Sequence, residues 1–246
     1  MQPYPNPPIK EALIDIRSES ASEISLDILA SYQDAIKERF PIREERLNWE
    51  SGLQFKPGSA PEIISPSVGA YGYFFRSEKE KKIVQARRDG FTFNKLKPYD
   101  RWEVFSSEGK ELWESYVQIV KPSRVTRLAL RYINRIEIPL PIRDFKDYVL
   151  TTPEIAPGIP QGMANFFMQV VIPEEDVKVV AIITVTTEPK AIQNDTFPYV
   201  FDIDVYRLVS LQPSDPKIWE IMEDLRNYKN LIFKSSVTSK CEDLFK

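Results

Sequence analysis

The chain has 246 residues, of which 42% are apolar and 28% are charged, so it has enough apolar side chains for a large folded core. It contains no histidine and a single cysteine, Cys241. These counts exclude a Ser-His-Asp triad, a Cys-His pair and a histidine-ligated metal centre within this chain. Acid-base chemistry would have to come from Asp, Glu, Lys or Tyr, whose pKa values lie far from neutrality unless burial shifts them. The composition therefore favours a binding or scaffold protein over an enzyme.

The charge is nearly balanced, with 33 basic and 36 acidic residues. This balance argues against general binding to nucleic acid or to an anionic membrane. The charge is uneven along the chain, because residues 1–140 carry 22 basic and 20 acidic residues whereas residues 141–246 carry 11 and 16. The opening residues lack the apolar core of a signal peptide, no window has the length of a membrane span, and one unpaired cysteine fits a reducing compartment. We therefore expect a cytoplasmic protein with no membrane contact.

The first half of the chain predicts strands and two helices after a proline-rich arm, Pro3–Pro8. Alternating apolar and polar residues indicate strands, and recurrence at three or four residues indicates helices. The Asp89-Gly90 pair predicts a tight hairpin turn, and Asp100 with Glu103 resembles a capping box at a helix start. The predicted elements are strand Ala12–Ser18, a helix from Ser22 or Ser25 to Arg39, strands Glu45–Phe55 and Gly69–Ser77, hairpin strands Lys82–Arg88 and Phe91–Leu96, and a helix from Asp100 to Pro122.

The second half repeats this order with one strand fewer. A long strand is followed by a short helix, a loop rich in proline and glycine, three strands and a final helix, which Pro216 opens at its first turn. The predicted elements are strand Arg124–Ile138, helix Arg143–Leu150, loop Thr151–Gly162, strands Asn165–Ile172, Lys178–Thr187 and Tyr199–Val209, the helix after Ser214 and Asp215, and a short helix through Cys241 and Phe245.

This order predicts an α+β fold, with a curved, mainly antiparallel sheet and helices packed on one side. The string β-α-β-β-β-β-α followed by β-α-β-β-β-α indicates two pseudo-repeats, residues 1–122 and 123–246, sharing one continuous sheet. The order is similar to that of tandem TATA-binding-protein-like and helix-grip folds. A likeness of fold carries no function by itself.

Three segments resemble a sporadically distributed family of prokaryotic proteins of unknown function and of about this length: PNPPIKEALIDIR (Pro5–Arg17), RLALRYINRIEIP (Arg127–Pro139) and SVTSKCEDLF (Ser236–Phe245). The resemblance spans nearly the whole chain. It implies one architecture shared among bacteria or archaea, and it supplies no activity, cofactor or catalytic residue.

A basic and aromatic region between residues 71 and 97 is the first candidate site. Aromatic rings beside cations are the combination that binds single-stranded nucleic acid. Alternation also allows the rings to pack on a helix while the cations form a solvated face, and a protein partner is a third interpretation. The candidate polyanion-binding residues are Arg76, Lys81, Lys82, Arg87, Arg88 and Lys95.

The second candidate site lies on two strands. Alternation places Arg127, Arg131 and Arg135 on one face of their strand, and Asp202 and Asp204 share a face of FDIDVY. The structural interpretation is a ladder of cross-strand ion pairs. The functional one is a concave surface that binds an anionic ligand, because arginine recognises carboxylate or phosphate in bidentate geometry.

From these features we expect a non-enzymatic binding or scaffold protein that acts through a protein partner in a multicomponent prokaryotic system. The sporadic distribution of the similar proteins motivates the partner. Binding of nucleic acid or a nucleotide is the first alternative. A Mg²⁺-dependent enzyme acting on phosphate groups through Asp202 and Asp204 is the second. No cofactor and no structural transition metal are predicted, because the usual ligands are missing.

Overall fold

A computed structural model shows an α+β fold. It describes residues 4–54, 62–176, 178–188 and 195–246, and at 48–54 and 62–68 it describes the backbone alone. Pro3 of the predicted arm and Phe55 at the predicted end of the second strand lie outside these residues. Among them, no helix is long and apolar enough to span a membrane.

Within the described ranges, nine antiparallel strands form one open sheet that does not close into a barrel. Their order across the sheet is β2-β3-β4-β5-β1-β6-β9-β8-β7, so the first strand of each half lies at the centre and the two edges are β2 and β7. The strands are β1 (Ile9–Glu19), β2 (Ile42–Gln54), β3 (Glu62–Ser77), β4 (Lys82–Arg87), β5 (Gly90–Leu96), β6 (Arg124–Pro139), β7 (Phe167–Glu174), β8 (Val179–Thr187) and β9 (Thr196–Leu211).

Three long helices pack on one face of the sheet, which we call the helical face. They are α1 (Leu26–Ile36), α2 (Trp102–Val120) and α3 (Lys217–Ser236); a short α4 (Ser239–Glu242) and a 3₁₀ turn (Asp243–Phe245) follow. The strand register places a buried apolar residue from successive strands in one row beneath the helices. The row is Phe75, Val84, Phe93, Ile14, Leu130, Val205 and Ala181.

Aromatic contacts join α1 and α3 to this face of the sheet. Tyr32 of α1 meets Phe75 with ring centroids 5.7 Å apart. Phe201 of β9 stacks on Phe233 of α3 at 6.0 Å. Rings of this size bury large areas and favour edge or offset contacts. The helical face is therefore filled, and the opposite face of the sheet carries no helix among the described residues; we call it the open face.

Two glycines allow neighbouring strands to approach. A Cβ on Gly72 would lie 2.2 Å from the carbonyl oxygen of Ala86, and one on Gly90 would lie 2.1 Å from that of Ile16. Gly90 also has φ +144°, a backbone angle that residues other than glycine rarely adopt. Both positions lie beside Arg87, with which Gly72 and Gly90 pair in the sheet.

The observed elements confirm the predicted α+β class, the antiparallel sheet and most predicted elements, and they correct three details. Helix α2 begins at Trp102, its N-cap is Arg101, and no side chain caps it, so the capping box predicted from Asp100 and Glu103 does not form. The predicted helix Arg143–Leu150 is a single 3₁₀ turn, Phe145–Asp147. The hairpin turn lies one residue earlier than predicted, since Gly90 already pairs with Arg87.

Candidate functional site

The centre of the open face carries a network of ion pairs between β4, β1, β6 and β9. Arg87 donates to Asp15 Oδ2 at 2.8 Å and to Asp89 Oδ1 at 3.0 Å. Arg127 donates to the other oxygen of Asp15 at 3.1 Å and to Asp204 at 3.3 Å. Asp15 therefore accepts hydrogen bonds from two arginines, one on β4 and one on the adjacent strand β6.

Arg131 continues the network toward the middle of β9. Its Nε and Nη2 atoms donate to Asp202 Oδ1 and Oδ2 at 2.9 and 2.5 Å, which is the bidentate geometry of an arginine-carboxylate pair. Although Arg131 lies opposite Asp204 in the register, its side chain reaches diagonally to Asp202. Arg135 pairs with neither aspartate; its Nε atom lies 2.9 Å from Glu137 and 3.6 Å from Glu188.

The pKa values follow the pairing. Burial would raise the pKa of Asp15, but Arg87 and Arg17 outweigh it and hold that pKa below its usual value. At Asp204 burial prevails over Arg127, and the pKa is raised. The hydrogen bond to Asp202 raises the pKa of Arg131. The carboxyl group of Asp15 is thus held ionised more firmly than that of Asp204.

A concave depression of about 450 Å³ lies over this network, and Arg131 and Arg127 line it together with Leu13 and Ala129. Its cations do not form an uncompensated positive surface, because the four arginines of the network face an equal number of aspartates: Arg17, Arg87, Arg127 and Arg131 against Asp15, Asp89, Asp202 and Asp204. The geometry thus favours the ion-pair ladder over an anion site, while ligand binding here stays a prediction.

The predicted polyanion-binding residues do not form one basic patch. Arg87 has a side chain only 3% exposed. Lys82 lies between Glu80 and Glu108, at 2.6 and 2.8 Å. The remaining contacts are Arg76 with Glu44 at 2.7 Å, Arg88 with Glu23, and Lys95 with the carbonyl oxygen of Glu80 at 2.7 Å. Lys81 is exposed in the turn before β4. Most of these cations are already neutralised.

No group of three or more carboxylate or cysteine side chains that could hold a metal ion occurs among the described residues. Asp202 and Asp204, the predicted Mg²⁺ ligands, each face an arginine. A cation entering between them would have to displace Arg131 or Arg127.

Toward the β7 edge, the open face carries exposed apolar side chains. Phe167 and Val171 of β7 are 70% and 58% exposed. The register places Ile182 of β8 opposite Val171, whereas Gln169 and Thr184 lie between this pair and Phe167. We call Phe167, Val171 and Ile182 the β7 patch. Exposed apolar surfaces that extend over several residues commonly mark interaction sites.

A cavity that the sequence interpretation did not anticipate lies on the helical face, between the N-terminal arm, the start of α2 and α3. Its volume is about 180 Å³. Lys229 of α3 lines it and is only 8% exposed. The signal was present in the sequence, because Lys229 continues the core spacing of Leu225 and precedes Phe233 by one turn.

The surroundings of Lys229 are apolar and aromatic. Its Nζ atom lies 3.7 Å from the ring centroid of Tyr132, and the hydroxyl of Tyr132 is 2.8 Å from that of Tyr99. Burial, with the positive charge of Arg226 adding to it, lowers the pKa of Lys229 to about 7. The amine therefore releases its proton far more readily than an exposed lysine does.

Comparisons with known proteins do not assign a function to these surfaces, because no protein-family model matches the chain and no curated protein matches its sequence. The resemblance to a prokaryotic family stays a prediction.

Proposed function

We propose that the protein is a non-enzymatic binding or scaffold protein and that it binds a partner protein along the β7 edge of its sheet. The observation that carries the proposal is the difference between the two edges. Edge strand β2 has charged residues at five of its thirteen positions, whereas β7 has seven consecutive uncharged residues, 167–173. Charged side chains on an edge strand prevent pairing with another chain, and β7 lacks that protection.

The exposure along β7 supports an added strand. Val171 and Ile172 are adjacent in sequence and point to opposite faces, yet they are 58% and 43% exposed. A strand paired beyond β7 would bring side chains to both faces and would cover both residues. It would also bind the main-chain N–H and C=O groups that β7 directs away from β8.

Charge complementarity defines the partner further. Glu174, Glu175 and Asp176 follow the uncharged stretch directly, and residues 141–246 carry five more acidic than basic residues. We therefore expect an extended segment of the partner protein with alternating apolar residues and with lysine or arginine at the end that lies beside Glu174.

The other functions are less well supported. Nucleotide or nucleic-acid binding in the central depression rests on Arg131, whose side chain is 44% exposed but pairs with Asp202. Phosphate chemistry with Mg²⁺ at Asp202 and Asp204 would require breaking both of their arginine pairs.

The pseudo-repeat and the cytoplasmic location belong to the same proposal. The strand order supports two related halves, because β1 with β5, β4 and β3 on one side corresponds to β6 with β9, β8 and β7 on the other. A tandem TATA-binding-protein-like or helix-grip arrangement is compatible with this order. The free, buried Cys241 fits a reducing compartment.

The experiment begins with a photocrosslinking residue placed at Phe167 in the native host, and in parallel at Leu47 on the β2 edge. Leu47 is a matched control, because it is also an exposed apolar residue, 47% accessible, on an edge strand. The protein crosslinked at Phe167 is identified, purified and titrated with the wild-type chain and with the variants Val171→Lys and Leu47→Lys.

We expect Val171→Lys to weaken binding of the identified protein by about tenfold or more, since a charge would enter an apolar contact, and Leu47→Lys to leave affinity unchanged. Equal effects of the two variants would contradict the proposal. Crosslinks only between two copies of this chain, with a dimer that Val171→Lys dissociates, would assign the edge to self-association and would also overturn it.

A further inference from the structure

The cavity beside Lys229 is built from four parts of the chain that are distant in sequence. The N-terminal arm contributes Tyr4, the start of α2 contributes Trp102, β6 contributes Tyr132, and α3 contributes Lys229. The arm is held in place by Asn6, whose backbone N–H donates to the carbonyl oxygen of Phe245 at 2.9 Å. Five aromatic rings and two prolines are among the residues that line the cavity.

Lys229 is the feature that the fold does not use. More than nine-tenths of the residue is buried, and it forms no ion pair or hydrogen bond with any residue that the structure describes. The two other cations of α3 in the cavity wall are paired, Arg226 with Glu223 at 2.5 Å and Lys234 with Glu242. Its contact with the ring of Tyr132 offsets only part of the cost of burying an amine without a hydrogen-bond partner, so its presence points to a role other than packing.

The start of α2 adds a second feature that attracts an anion. The first backbone N–H groups of a helix have no partner within the helix, and together they carry a partial positive charge. At α2 no side chain caps them. The first residues of this helix, Trp102 and Glu103, and the two residues before it, Asp100 and Arg101, line the same cavity as Lys229.

The charged residues of the cavity wall agree with these two features. Four cations and two carboxylates line it, namely Arg101, Arg226, Lys229 and Lys234 against Asp100 and Glu103. Arg226 and Lys234 already pair with Glu223 and Glu242, so an anionic ligand would supply the missing partner of Lys229.

We propose that this cavity binds a small aromatic carboxylate, with its carboxylate group between Lys229 and the start of α2 and its ring among Tyr99, Trp102 and Tyr132. The size fits, because the volume of about 180 Å³ is close to that of apolar cavities that hold one benzene ring. The site lies on the helical face, and it is independent of the partner-binding edge at β7.

Benzoate, phenylacetate and 3-phenylpropionate are the probes, and each is compared with its neutral amide of nearly the same shape. Binding is measured by calorimetry and by ligand-observed NMR on the full chain. We expect at least one acid to bind with a Kd of about 0.1–1 mM. The amide of that acid should bind at least about tenfold more weakly, since a charge-assisted hydrogen bond is stronger than a neutral one.

Two lysine variants make the test specific. Lys229→Met should abolish the preference for the acid over the amide. Lys234→Met, which removes a paired lysine from the same wall, should retain it. Failure of all three acids to bind, equal binding of acid and amide, or the same loss in both variants would overturn the proposal. If inorganic phosphate bound as tightly as the acids, the proposal that the ligand is aromatic would be overturned.

Discussion

Replacing the buried Lys229 with methionine is expected to stabilise the protein at neutral and acidic pH. Methionine is unbranched and of similar length, so it can fill the same space without a charge. The pKa of Lys229 falls from its ordinary 10.5 to about 7. Each pKa unit corresponds to about 1.4 kcal/mol, which sets a ceiling of about 5 kcal/mol on the gain.

The measured gain should be smaller than this ceiling. The Nζ atom of Lys229 lies 3.7 Å from the ring centroid of Tyr132, and such a contact favours the charged amine by about 1–2 kcal/mol when it is desolvated. We therefore expect Lys229→Met to raise the free energy of unfolding by about 2–4 kcal/mol at pH 6.

The pH dependence gives the sharper test. The unfolded chain keeps the proton on Lys229 up to its ordinary pKa, 10.5, whereas the folded chain loses it near 7. Between these values the unfolded state binds more protons, so wild-type stability rises with pH relative to the variant, by up to about 1.4 kcal/mol per pH unit. The advantage of Lys229→Met is complete below pH 7 and declines as the pH approaches 10.5.

Urea denaturation of the wild type, Lys229→Met and Lys234→Met at pH 6, 7.5 and 9 measures this difference. Lys234 pairs with Glu242, and its pKa is raised, so its substitution should have an effect that does not vary over this range. An advantage of Lys229→Met that is the same at pH 6 and pH 9, or a loss of stability at pH 6, would refute the reasoning.

Three further predictions concern the sheet and the core. Arg131→Met should lower the free energy of unfolding by about 1–3 kcal/mol in urea denaturation, because Asp202 is left nearly buried without its bidentate partner; an unchanged midpoint would show that the pair is solvated. Gly90→Ala should prevent folding or lower the thermal midpoint far more than Gly109→Ala, since its Cβ would meet backbone at 2.1 Å whereas the contact of Gly109 at 2.7 Å is with the flexible end of a side chain; circular dichroism melts compare the two. Cys241 is buried and its pKa is raised to about 12, so a thiol reagent should label it only after unfolding, and rapid labelling of the native protein would contradict its burial.

Local signals in the sequence predict the elements of this fold well. Alternation in Arg124–Pro139 gives a strand whose even-numbered residues from Leu128 to Ile136 are buried, as predicted. Ser25, one of the two residues predicted to cap α1, accepts a hydrogen bond from the backbone N–H of Ile28. Such signals depend on neighbours within one or two turns, so a single sequence contains them.

The arrangement of the strands is not contained in such local signals. The central pairing joins Ile14 to Leu130, which are far apart in the chain, and no pattern in either strand specifies the other. The uncharged stretch of β7 is visible in the sequence, but its meaning depends on β7 lying at an edge. The importance of the β7 patch therefore emerges only from the sheet order.

The candidate sites likewise combine features that the sequence predicts with features that depend on the folded structure. The shared face of Arg131 and Asp202 follows from strand periodicity, whereas the diagonal pairing depends on where a long side chain leans. Lys229 occupies a core position of α3, yet lysine at such a position commonly extends its amine to solvent. Only the packing of the arm, α2 and α3 around it shows that it does not.

The amide hydrogen exchange of β7 tests the central claim most directly. In the isolated protein, the β7 amides that do not pair with β8 have no strand partner among the described residues and should exchange rapidly. In the complex with the partner crosslinked at Phe167, we predict that these amides become protected by about 100-fold or more while those of β2 do not change. A complex in which β7 exchanges as fast as in the free protein, with protection confined to other elements, would contradict the account.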